Sequence, residues 1–250
     1  IVDTFAQFGV TKGNLPLIMS ALSEGPVIGM FSHIGFQDAA DGASHQATTY
    51  FAAVSSIPHT LVVSCGSQEE AYQLMSLALD RFAEVRRRGE TPESVLFFFG
   101  REKHPKHFEQ KSEHKWQQAQ QMTVGKTATL VTSGPLLTKA LKANETLKEQ
   151  GLSISVINNP FINRPDTETI ATSMEKTGGK LITLEDHQTC GGMGSLLCHA
   201  LKREGREFQM ASLGNPGEFG QSAYKADHLY HKYGMDEEGI VEAVREMSGE

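Results

Sequence analysis

Apolar runs and amphipathic segments alternate along most of the chain. Short runs rich in Val, Ile, Leu and Phe are typical of buried strands, and the longer amphipathic segments between them predict helices. The predicted strands cover residues 27–32, 60–65, 95–99, 127–132, 153–157, 180–184 and 209–213. The predicted helices cover residues 15–23, 45–55, 67–88, 136–150, 167–177, 191–203, 225–233 and 237–247. This alternation predicts an α/β fold with parallel sheets and crossover helices.

A charged segment separates this alternation into two sets. Residues 101–121 are rich in His, Lys and Gln, and their only large apolar side chains are Phe108 and Trp116. A chain of 250 residues is long enough for two α/β domains. We therefore expect two open, mainly parallel-sheet domains with flanking helices. The expected first domain, linker and second domain cover residues 1–112, 113–125 and 126–250.

Composition and charge exclude several classes of protein. The hydrophobic fraction of 39% is ordinary for a soluble protein, and no apolar stretch approaches the roughly 18 residues of a membrane span. The net charge of −7 argues against a nucleic-acid surface, since the one basic run, 86–88, ends a predicted helix where positive charge suits the helix dipole. Cys65, Cys190 and Cys198 suggest neither a disulfide framework nor a thiolate metal site, which favours a cytoplasmic protein.

The loop after the predicted strand 27–32 is the most informative polar segment. It runs from His33 to His45 and contains Asp41 followed by Gly42. Histidine has the side-chain pKa nearest neutrality, and a carboxylate can orient an imidazole or a substrate hydroxyl. Ligands of open parallel sheets bind where strands end. The loop therefore predicts proton transfer beside a polar ligand, and solvated or capping histidines are the alternative.

An arginine occupies the equivalent place after another strand. Arg101 follows the predicted strand 95–99 and is expected at the same rim of the sheet as His33. A guanidinium there can bind an oxyanion such as phosphate through two parallel hydrogen bonds. The alternative is a rim arginine paired with a neighbouring carboxylate.

The linker histidines are expected to be solvated, because no cysteine near His104, His107 or His114 supports a metal site. Residues 191–194, Gly-Gly-Met-Gly, precede a predicted helix but lack the spacing of a dinucleotide fingerprint. We expect these glycines to allow close packing of helix and strand. No metal-binding residues are predicted in this chain.

Several motifs together resemble the transketolase family. The run Asp3-Thr-Phe-Ala-Gln-Phe8, the loop ending in Asp41-Gly-Ala-Ser-His-Gln46, and the strand leading to Arg101 have the order and spacing of its pyrimidine-binding domain. The stretches 217–222, Gly-Glu-Phe-Gly-Gln-Ser, and 229–239 resemble the end of its C-terminal domain. The resemblance covers nearly the whole chain. It implies thiamine diphosphate chemistry on a partial pyrimidine-binding domain followed by a Rossmann-like C-terminal domain.

The resemblance also implies cofactor-binding residues. Phe8 would stack against the aminopyrimidine ring of thiamine diphosphate, and Phe5 would line the same apolar pocket. Plain core packing is the alternative for both rings. The family places the C-terminal domain away from the chemistry, so the strand-end run Glu185-Asp-His187 is expected to be structural.

The family likewise implies catalytic and substrate-binding residues. His33 and His45 would face the reacting carbons, with His45 the better candidate for moving a proton at the donor ketose hydroxyls. Asp41 would hydrogen-bond a substrate hydroxyl. Arg101 would bind the terminal phosphate, or another oxyanion such as a sulfonate, of the sugar.

The chain also departs from the family pattern. The family loop usually carries Gly-Glu-Asp-Gly before the second histidine, whereas residues 39–42 are Ala-Ala-Asp-Gly, which puts the family's sugar preference in doubt. The cofactor-activating glutamate and the domain that binds diphosphate and Mg²⁺ (or Ca²⁺) precede the segment that this chain resembles. Since the chain opens on Ile1 without an initiator methionine, we expect it to be a natural subunit, a proteolytic fragment or an incomplete sequence.

The expected function is transfer of a two-carbon ketol unit between phosphorylated, or otherwise anionic, ketose and aldose sugars. An N-terminal diphosphate-binding subunit or domain would complete the enzyme, in a homodimer or a heterotetramer. Alternative enzymes are 1-deoxyxylulose-5-phosphate synthase and the β subunit of a 2-oxoacid dehydrogenase. The alternative outside catalysis is a dimerisation partner that has lost turnover.

Overall fold

The first half of the chain forms a four-stranded parallel sheet with the order β1-β2-β4-β3. The computed structural model describes residues 1–109 and 113–249, so residues 110–112 of the charged segment 101–121 and residue 250 lie outside the described residues. The strands are β1 Val2–Phe5, β2 Ile28–Ser32, β3 Thr60–Ser64 and β4 Ser94–Phe98. The helices are α1 Ala6–Leu22, α2 Tyr50–Val54 and α3 Gln68–Arg87.

The ends of α3 follow directly from its sequence. The Ser67 hydroxyl accepts a hydrogen bond from the Glu70 amide at 3.1 Å, which satisfies one of the free amides of the first turn. Arg86 and Arg87 lie in the last turn, where their charge favours the carboxyl end of the helix dipole. The interpretation of the basic run as a helix end is confirmed.

The amino-terminal elements differ from the prediction. The helix begins at Ala6 rather than at residue 15, and β1 precedes it. All four residues of β1 are exposed, so this edge strand lacks the buried apolar run that identifies the other strands. Gly9, Gly13 and Pro16 interrupt the helical pattern of α1. These features hid both elements from pattern analysis.

The second half forms a five-stranded sheet with the order β5-β7-β6-β8-β9. Its strands are β5 Gln120–Gln121, β6 Ala128–Thr132, β7 Ile154–Asn158, β8 Lys180–Gln188 and β9 Gln209–Asn215. All neighbours pair in parallel except β5, which runs antiparallel to β7 at one edge. The helices are α4 Leu137–Glu149, α5 Thr167–Lys176, α6 Met193–Arg203, α7 Ala226–Lys232 and α8 Glu237–Ser248. None of the helices in the described part of the chain is long and apolar enough to cross a bilayer.

The stretch predicted as a solvated linker is partly structured. It contributes β5 to the second sheet, and the Trp116 ring packs edge-on against Phe161 at 5.4 Å between centroids. His114 is nearly buried and lies 3.5 Å from a carboxylate oxygen of Glu70. His104 accepts a hydrogen bond from a backbone amide at 3.3 Å. The prediction of solvated side chains is therefore wrong for His104 and His114, because His114 packs against α3 and His104 folds back on Gly100.

A continuous apolar core joins the two halves. One cluster of buried side chains contains Val62 and Phe98 from the first half and Val131 and Ile157 from the second. The segment after β7 runs beside β3, and the Ile162 amide donates to the Val62 carbonyl at 2.9 Å. Burial of apolar surface across this boundary contributes about 25 cal/mol per Å². The shared core holds the loops of the first sheet against the second half.

Candidate active site

The loop between β2 and α2 folds back on itself and brings its two histidines to one edge of the sheet. Ile34 and Gly35 both bridge to Ala47, and the Gly35 amide donates to the Ala47 carbonyl at 2.8 Å. This closure is why α2 begins at Tyr50 rather than at residue 45 as predicted. His33 directly follows β2 at one end of the closed loop.

The aromatic and imidazole rings that the sequence singled out lie together. Phe5 stacks on His33 with ring centroids 3.8 Å apart, and Phe8 meets the His45 ring edge-on at 5.1 Å. Phe5 and Phe8 are themselves stacked at 6.2 Å. Each phenylalanine is 38% exposed, so core packing does not describe either ring. β1 and the first turn of α1 place both of them over the histidine loop.

His33 is held in an unusual backbone conformation. Its φ angle is +60°, a left-handed value uncommon for residues other than glycine. Ser32 Oγ and His33 Nδ1 are 2.8 Å apart. Partial burial lowers the pKa of His33, and Arg101 lowers it further, while Asp38 and Asp41 act in the opposite direction. The imidazole is thus favoured as the neutral form, which can accept a proton.

The far side of the loop carries His45 and Asp41. His45 is partly exposed, and its Nδ1 lies 3.0 Å from Ser44 Oγ. Asp41 is exposed, and its carboxylate is open to solvent. The following Gly42 has a φ of +79°, and a Cβ atom there would lie 2.6 Å from Ser222 Oγ. Glycine is required at that position because the loop tip packs on the C-terminal segment.

Arg101 lies at the rim as predicted, but it already has a protein partner. Its Nη1 donates to Asp38 Oδ1 at 2.6 Å, and the Asp38 side chain is fully buried whereas the Arg101 side chain is 46% exposed. The second oxygen of Asp38 is buried without a hydrogen-bond partner among the described residues. Arg101 therefore does pair with a neighbouring carboxylate, which was the alternative to oxyanion binding in the sequence analysis. A guanidinium carries five N–H donors, so this pairing leaves donors free for a ligand.

The second half contributes a residue to the loop that the sequence analysis assigned a structural role only. Asp186 Oδ1 accepts a hydrogen bond from the Phe36 amide at 2.9 Å, and its Oδ2 accepts one from the Tyr230 hydroxyl at 2.5 Å. Burial raises the pKa of Asp186 to about 7, although both hydrogen bonds oppose the shift. The feature of the sequence that could have indicated this contact is the polar run Glu185-Asp-His187 at the end of an apolar strand.

The two neighbours of Asp186 have local roles. Glu185 accepts hydrogen bonds from the Met193 and Gly194 amides at 2.5 and 3.1 Å, and burial raises its pKa to about 8. A Cβ atom on Gly192 would lie 2.0 Å from a carboxylate oxygen of Glu185, so the glycine run serves close packing, as expected. Burial lowers the pKa of His187 to about 4.

One group of potential metal ligands occurs in the described part of the chain. His231, Asp236 and Glu238 have ligand atoms within 4.8 Å of one another. Asp236 Oδ1 caps α8 by accepting from the Gly239 amide at 3.0 Å, and its Oδ2 lies 2.7 Å from His231 Nδ1. Both oxygens of Asp236 thus have protein partners, and we assign this group to the start of α8.

Comparisons with known proteins agree with this architecture. The family model described as "Transketolase, C-terminal domain" matches residues 117–240. Transketolase-like protein 2 of Homo sapiens is 30% identical over 243 residues, which are 96% of this chain and 36% of that protein. The putative transketolase C-terminal section of Methanocaldococcus jannaschii is 27% identical over 86% of this chain and 64% of its own length. A 1-deoxy-D-xylulose-5-phosphate synthase of Clostridium tetani is 29% identical over 83% of this chain and 32% of that protein. The chain therefore spans about a third to two thirds of the length of these relatives.

Solved structures share the fold. The structure titled "Split gene transketolase, inactive beta4 tetramer" has a TM-score of 0.75 at 22% identity and covers 99% of this chain and 75% of its own. A mutant transketolase from Pichia stipitis has a TM-score of 0.75 at 20% identity and covers 99% of this chain and 33% of its own. The matched domain, the relatives and the common fold together show that the chain belongs to the transketolase family.

Proposed function

We propose that this chain carries the pyrimidine-binding and C-terminal domains of a thiamine-diphosphate-dependent transketolase. The reaction is transfer of a two-carbon ketol unit between anionic ketose and aldose sugars. The observation that supports the proposal is the pairing of Phe5 with His33 and of Phe8 with His45 at one exposed edge, with ring centroids 3.8 and 5.1 Å apart. Aromatic rings and proton-transfer groups are the two things that this chemistry requires of the domain.

The residues fit the cofactor. Phe5 and Phe8 are partly exposed aromatic rings, and an aromatic side chain buries roughly 150–250 Å² when covered. Phe8 would hold the aminopyrimidine ring, and Phe5 would complete the apolar wall of the same site. Thiamine diphosphate, when bound, supplies the nucleophilic carbon and the electron sink for breaking and forming the carbon–carbon bond.

A partner subunit or domain holds the diphosphate and its Mg²⁺ or Ca²⁺. Hard cations require several oxygen ligands, whereas the edge carrying Phe8 and His45 offers aromatic and imidazole groups. Two comparisons support this division. One relative is called a C-terminal section, and one structural neighbour is titled as a split-gene enzyme in an inactive tetramer.

Each polar group of the loop has a role in this proposal. His45, partly exposed at the edge, moves a proton at the hydroxyls of the donor ketose, and the neutral His33 imidazole accepts a hydrogen bond from a substrate hydroxyl. Asp41 binds a second hydroxyl. Arg101, oriented by Asp38, binds the terminal phosphate or sulfonate through its remaining donors.

The amino-terminal face supplies the contact with a second copy or with the partner. Apolar side chains on β1 and α1 are exposed, including Val2, Leu15, Met19 and Leu22. Leu15, Met19 and Leu22 are spaced four and three residues apart, so they share one face of α1, and an exposed apolar face of this kind marks an interaction surface. It adjoins Phe5 and Phe8, so a protein docked there would also close the cofactor site.

The second candidate is a 1-deoxyxylulose-5-phosphate synthase type of reaction, in which a 2-oxo acid is the donor. The Clostridium tetani relative that aligns with 83% of this chain favours it. The loop histidines His33 and His45 favour a ketose donor. Cleavage of the C2–C3 bond of a ketose requires a proton acceptor at the C3 hydroxyl, whereas decarboxylation of a 2-oxo acid releases CO₂ and needs no such acceptor. Steady-state assays with a ketose phosphate and with pyruvate as donors decide between the two.

The test of the proposal is reconstitution. The chain is produced alone and together with the product of the adjoining reading frame, and thiamine diphosphate binding is measured by calorimetry with Mg²⁺. We expect micromolar binding and ketol transfer only in the two-component preparation. Micromolar binding by the chain alone would overturn the division of the site, and absence of transfer in a cofactor-loaded assembly would overturn the transketolase activity.

The cytoplasmic location proposed for this enzyme agrees with three free cysteines.

A further inference from the structure

A buried carboxylate of the second half anchors the catalytic loop of the first half. Asp186 is at the carboxyl end of β8, 150 residues along the chain from Phe36, whose amide it accepts at 2.9 Å. The side chains of both residues are buried. Gly35, immediately before Phe36, has a φ of +52°, and a Cβ atom there would lie 2.0 Å from Asp186 Cγ. The loop therefore passes directly over this carboxylate with no room for a side chain.

The same carboxylate begins a series of hydrogen bonds that crosses the loop. The Tyr230 hydroxyl donates to Asp186 Oδ2 at 2.5 Å and accepts from Gln37 Nε2 at 2.9 Å. The other end of the Gln37 amide, Oε1, accepts from the Glu102 amide at 2.8 Å. Glu102 directly follows Arg101. One series of bonds thus connects β8, α7, the histidine loop and the rim that carries the arginine.

Every side chain in this series is shielded from water. Asp186, Tyr230 and Gln37 are each buried. A buried polar group that loses its partner cannot replace it with water, and series of such bonds strengthen one another. The arrangement therefore has one favoured geometry for the loop backbone and for the rim at Glu102.

We infer that Asp186 and Tyr230 are positioning residues that hold the His33 loop and the Arg101 rim in register with each other. This inference rests on the proposed function for its catalytic consequence. A proton-transfer group and an oxyanion-binding group act on one substrate only if their separation is constant, and a displacement of about 1 Å costs on the order of 100-fold in rate. The C-terminal domain sets that separation without contacting substrate.

Hydrogen exchange measured by NMR on the full chain tests the structural step. In Tyr230→Phe, Gln37 loses its acceptor, and we expect the Glu102 amide to exchange about 10-fold faster or more. In Asp186→Ala, the Phe36 amide loses its acceptor, and we expect this amide to exchange about 10-fold faster or more. Amides of β6, Ala128–Thr132, should be unchanged. Tyr233→Phe is the matched control, because its hydroxyl contacts Lys232 and the Phe219 carbonyl, outside this series.

The outcomes separate positioning from general destabilisation. Unchanged exchange at Glu102 in Tyr230→Phe overturns the inference, and so does equal acceleration across β6 and Glu102. Tyr230→Phe retains the ring and its packing, so it remains informative if Asp186→Ala does not fold.

Kinetics of the assembled enzyme test the catalytic step. Tyr230→Phe should lower kcat/KM for ketol transfer about 10- to 100-fold with unchanged affinity for thiamine diphosphate. Faster exchange at Glu102 with wild-type kcat/KM overturns the catalytic part of the inference. If the exchange changes occur as expected but the cofactor-loaded assembly of the unmodified chain transfers no ketol unit, positioning stands and the proposed function fails.

Discussion

Arg101 and the buried Asp38 form an ion pair with Nη1 and Oδ1 2.6 Å apart, at the rim where a sugar oxyanion is expected. The carboxylate is fully buried and the guanidinium is half-exposed, so the pair fixes one side of the arginine and presents the other. An exposed arginine would have to lose side-chain entropy when it binds a ligand. Because Asp38 already restricts the Arg101 side chain in the folded protein, less side-chain entropy is lost when a ligand binds.

Arg101→Ala is expected to raise KM for phosphorylated sugars far more than for unphosphorylated ones. A charge-assisted hydrogen bond contributes roughly 1.5–3 kcal/mol, which corresponds to about 10- to 150-fold. Steady-state kinetics of the assembled enzyme with a matched pair of substrates measures the difference. Equal losses for both substrates would assign Arg101 to the fold.

Asp38→Asn should have the opposite effect on recognition. The substitution removes the charge that compensates Arg101 and nearly conserves side-chain volume, so KM for a phosphorylated sugar should fall about 3- to 10-fold. KM for the unphosphorylated sugar is the internal control. A rise in KM for the phosphorylated sugar would show that orientation by Asp38 outweighs its charge.

His45→Ala should lower kcat of the assembled enzyme by roughly 10²–10⁴-fold, the usual range for a lost general acid or base. Binding of thiamine diphosphate, measured by calorimetry, should be nearly unchanged, since the Phe8 ring that meets His45 edge-on remains. Unchanged turnover would assign His45 a structural role.

Leu22→Asp should weaken self-association or partner docking through the amino-terminal face. Leu22 is 75% exposed at the end of α1, and a charge placed in an apolar contact costs on the order of 2 kcal/mol or more. Sedimentation across a range of concentrations measures the change. The control is Leu79→Asp on α3, where the leucine is 49% exposed. Equal effects of the two variants would contradict an interface on this face.

Stability should fall as the pH rises from about 6.5 to 8. Burial raises the pKa of Glu70 to about 7, although the Gly66 amide and Asn158 Nδ2 donate to it. A carboxyl whose pKa is raised in the folded state contributes stability below its unfolded pKa of about 4.3 and loses it as the pH passes through 7.

Other buried groups act on the same dependence. The pKa values of Asp186 and Glu185, raised to about 7 and 8, have the same sign as that of Glu70. His187, lowered to about 4, has the opposite sign, because its contribution is lost as the pH falls through 4. Burial also lowers the pKa values of His33, His104 and His114, which act in the same direction as His187. Above about pH 6.5 these histidines are largely neutral in both the folded and the unfolded chain, so the raised carboxyls dominate there.

Guanidinium unfolding at several pH values checks this prediction. Glu70→Gln should reduce the pH dependence by on the order of 1–3 kcal/mol between about pH 5 and 8. The control is Glu69→Gln, since Glu69 is an exposed neighbour on the same helix, and this variant should leave the pH dependence of stability unchanged. A stability that rises between about pH 6.5 and 8 in the unmodified chain would contradict the prediction.

Sequence pattern was most informative where elements are fully buried. β3 and β4 lie within one residue of their predicted limits, because buried parallel strands are continuous apolar runs. β3 is at the edge of its sheet, but the segment after β7 covers it. β1 was missed because it is an exposed edge strand. The limits of α2 were wrong because the bridge between Ile34 and Ala47 removes residues 45–49 from the helix.

For the site, the resemblance to a family identified the groups but not their partners. Phe5, Phe8, His33 and His45 are close in sequence to the ends of adjacent elements, so their meeting followed from strand order once the family was recognised. The contact of Asp186 with the loop was not predicted, since the family pattern placed the C-terminal domain away from the chemistry.

The sequence by itself determined the strand–helix alternation, the glycine positions and the candidate catalytic groups, because apolar periodicity and side-chain chemistry are local properties. Only the tertiary structure decided which polar groups pair. Arg101 meets Asp38 across 63 residues and Asp186 meets the Phe36 amide across 150. Both pairings depend on how the two sheets pack through their shared core, and that packing is a property of the whole chain rather than of any segment.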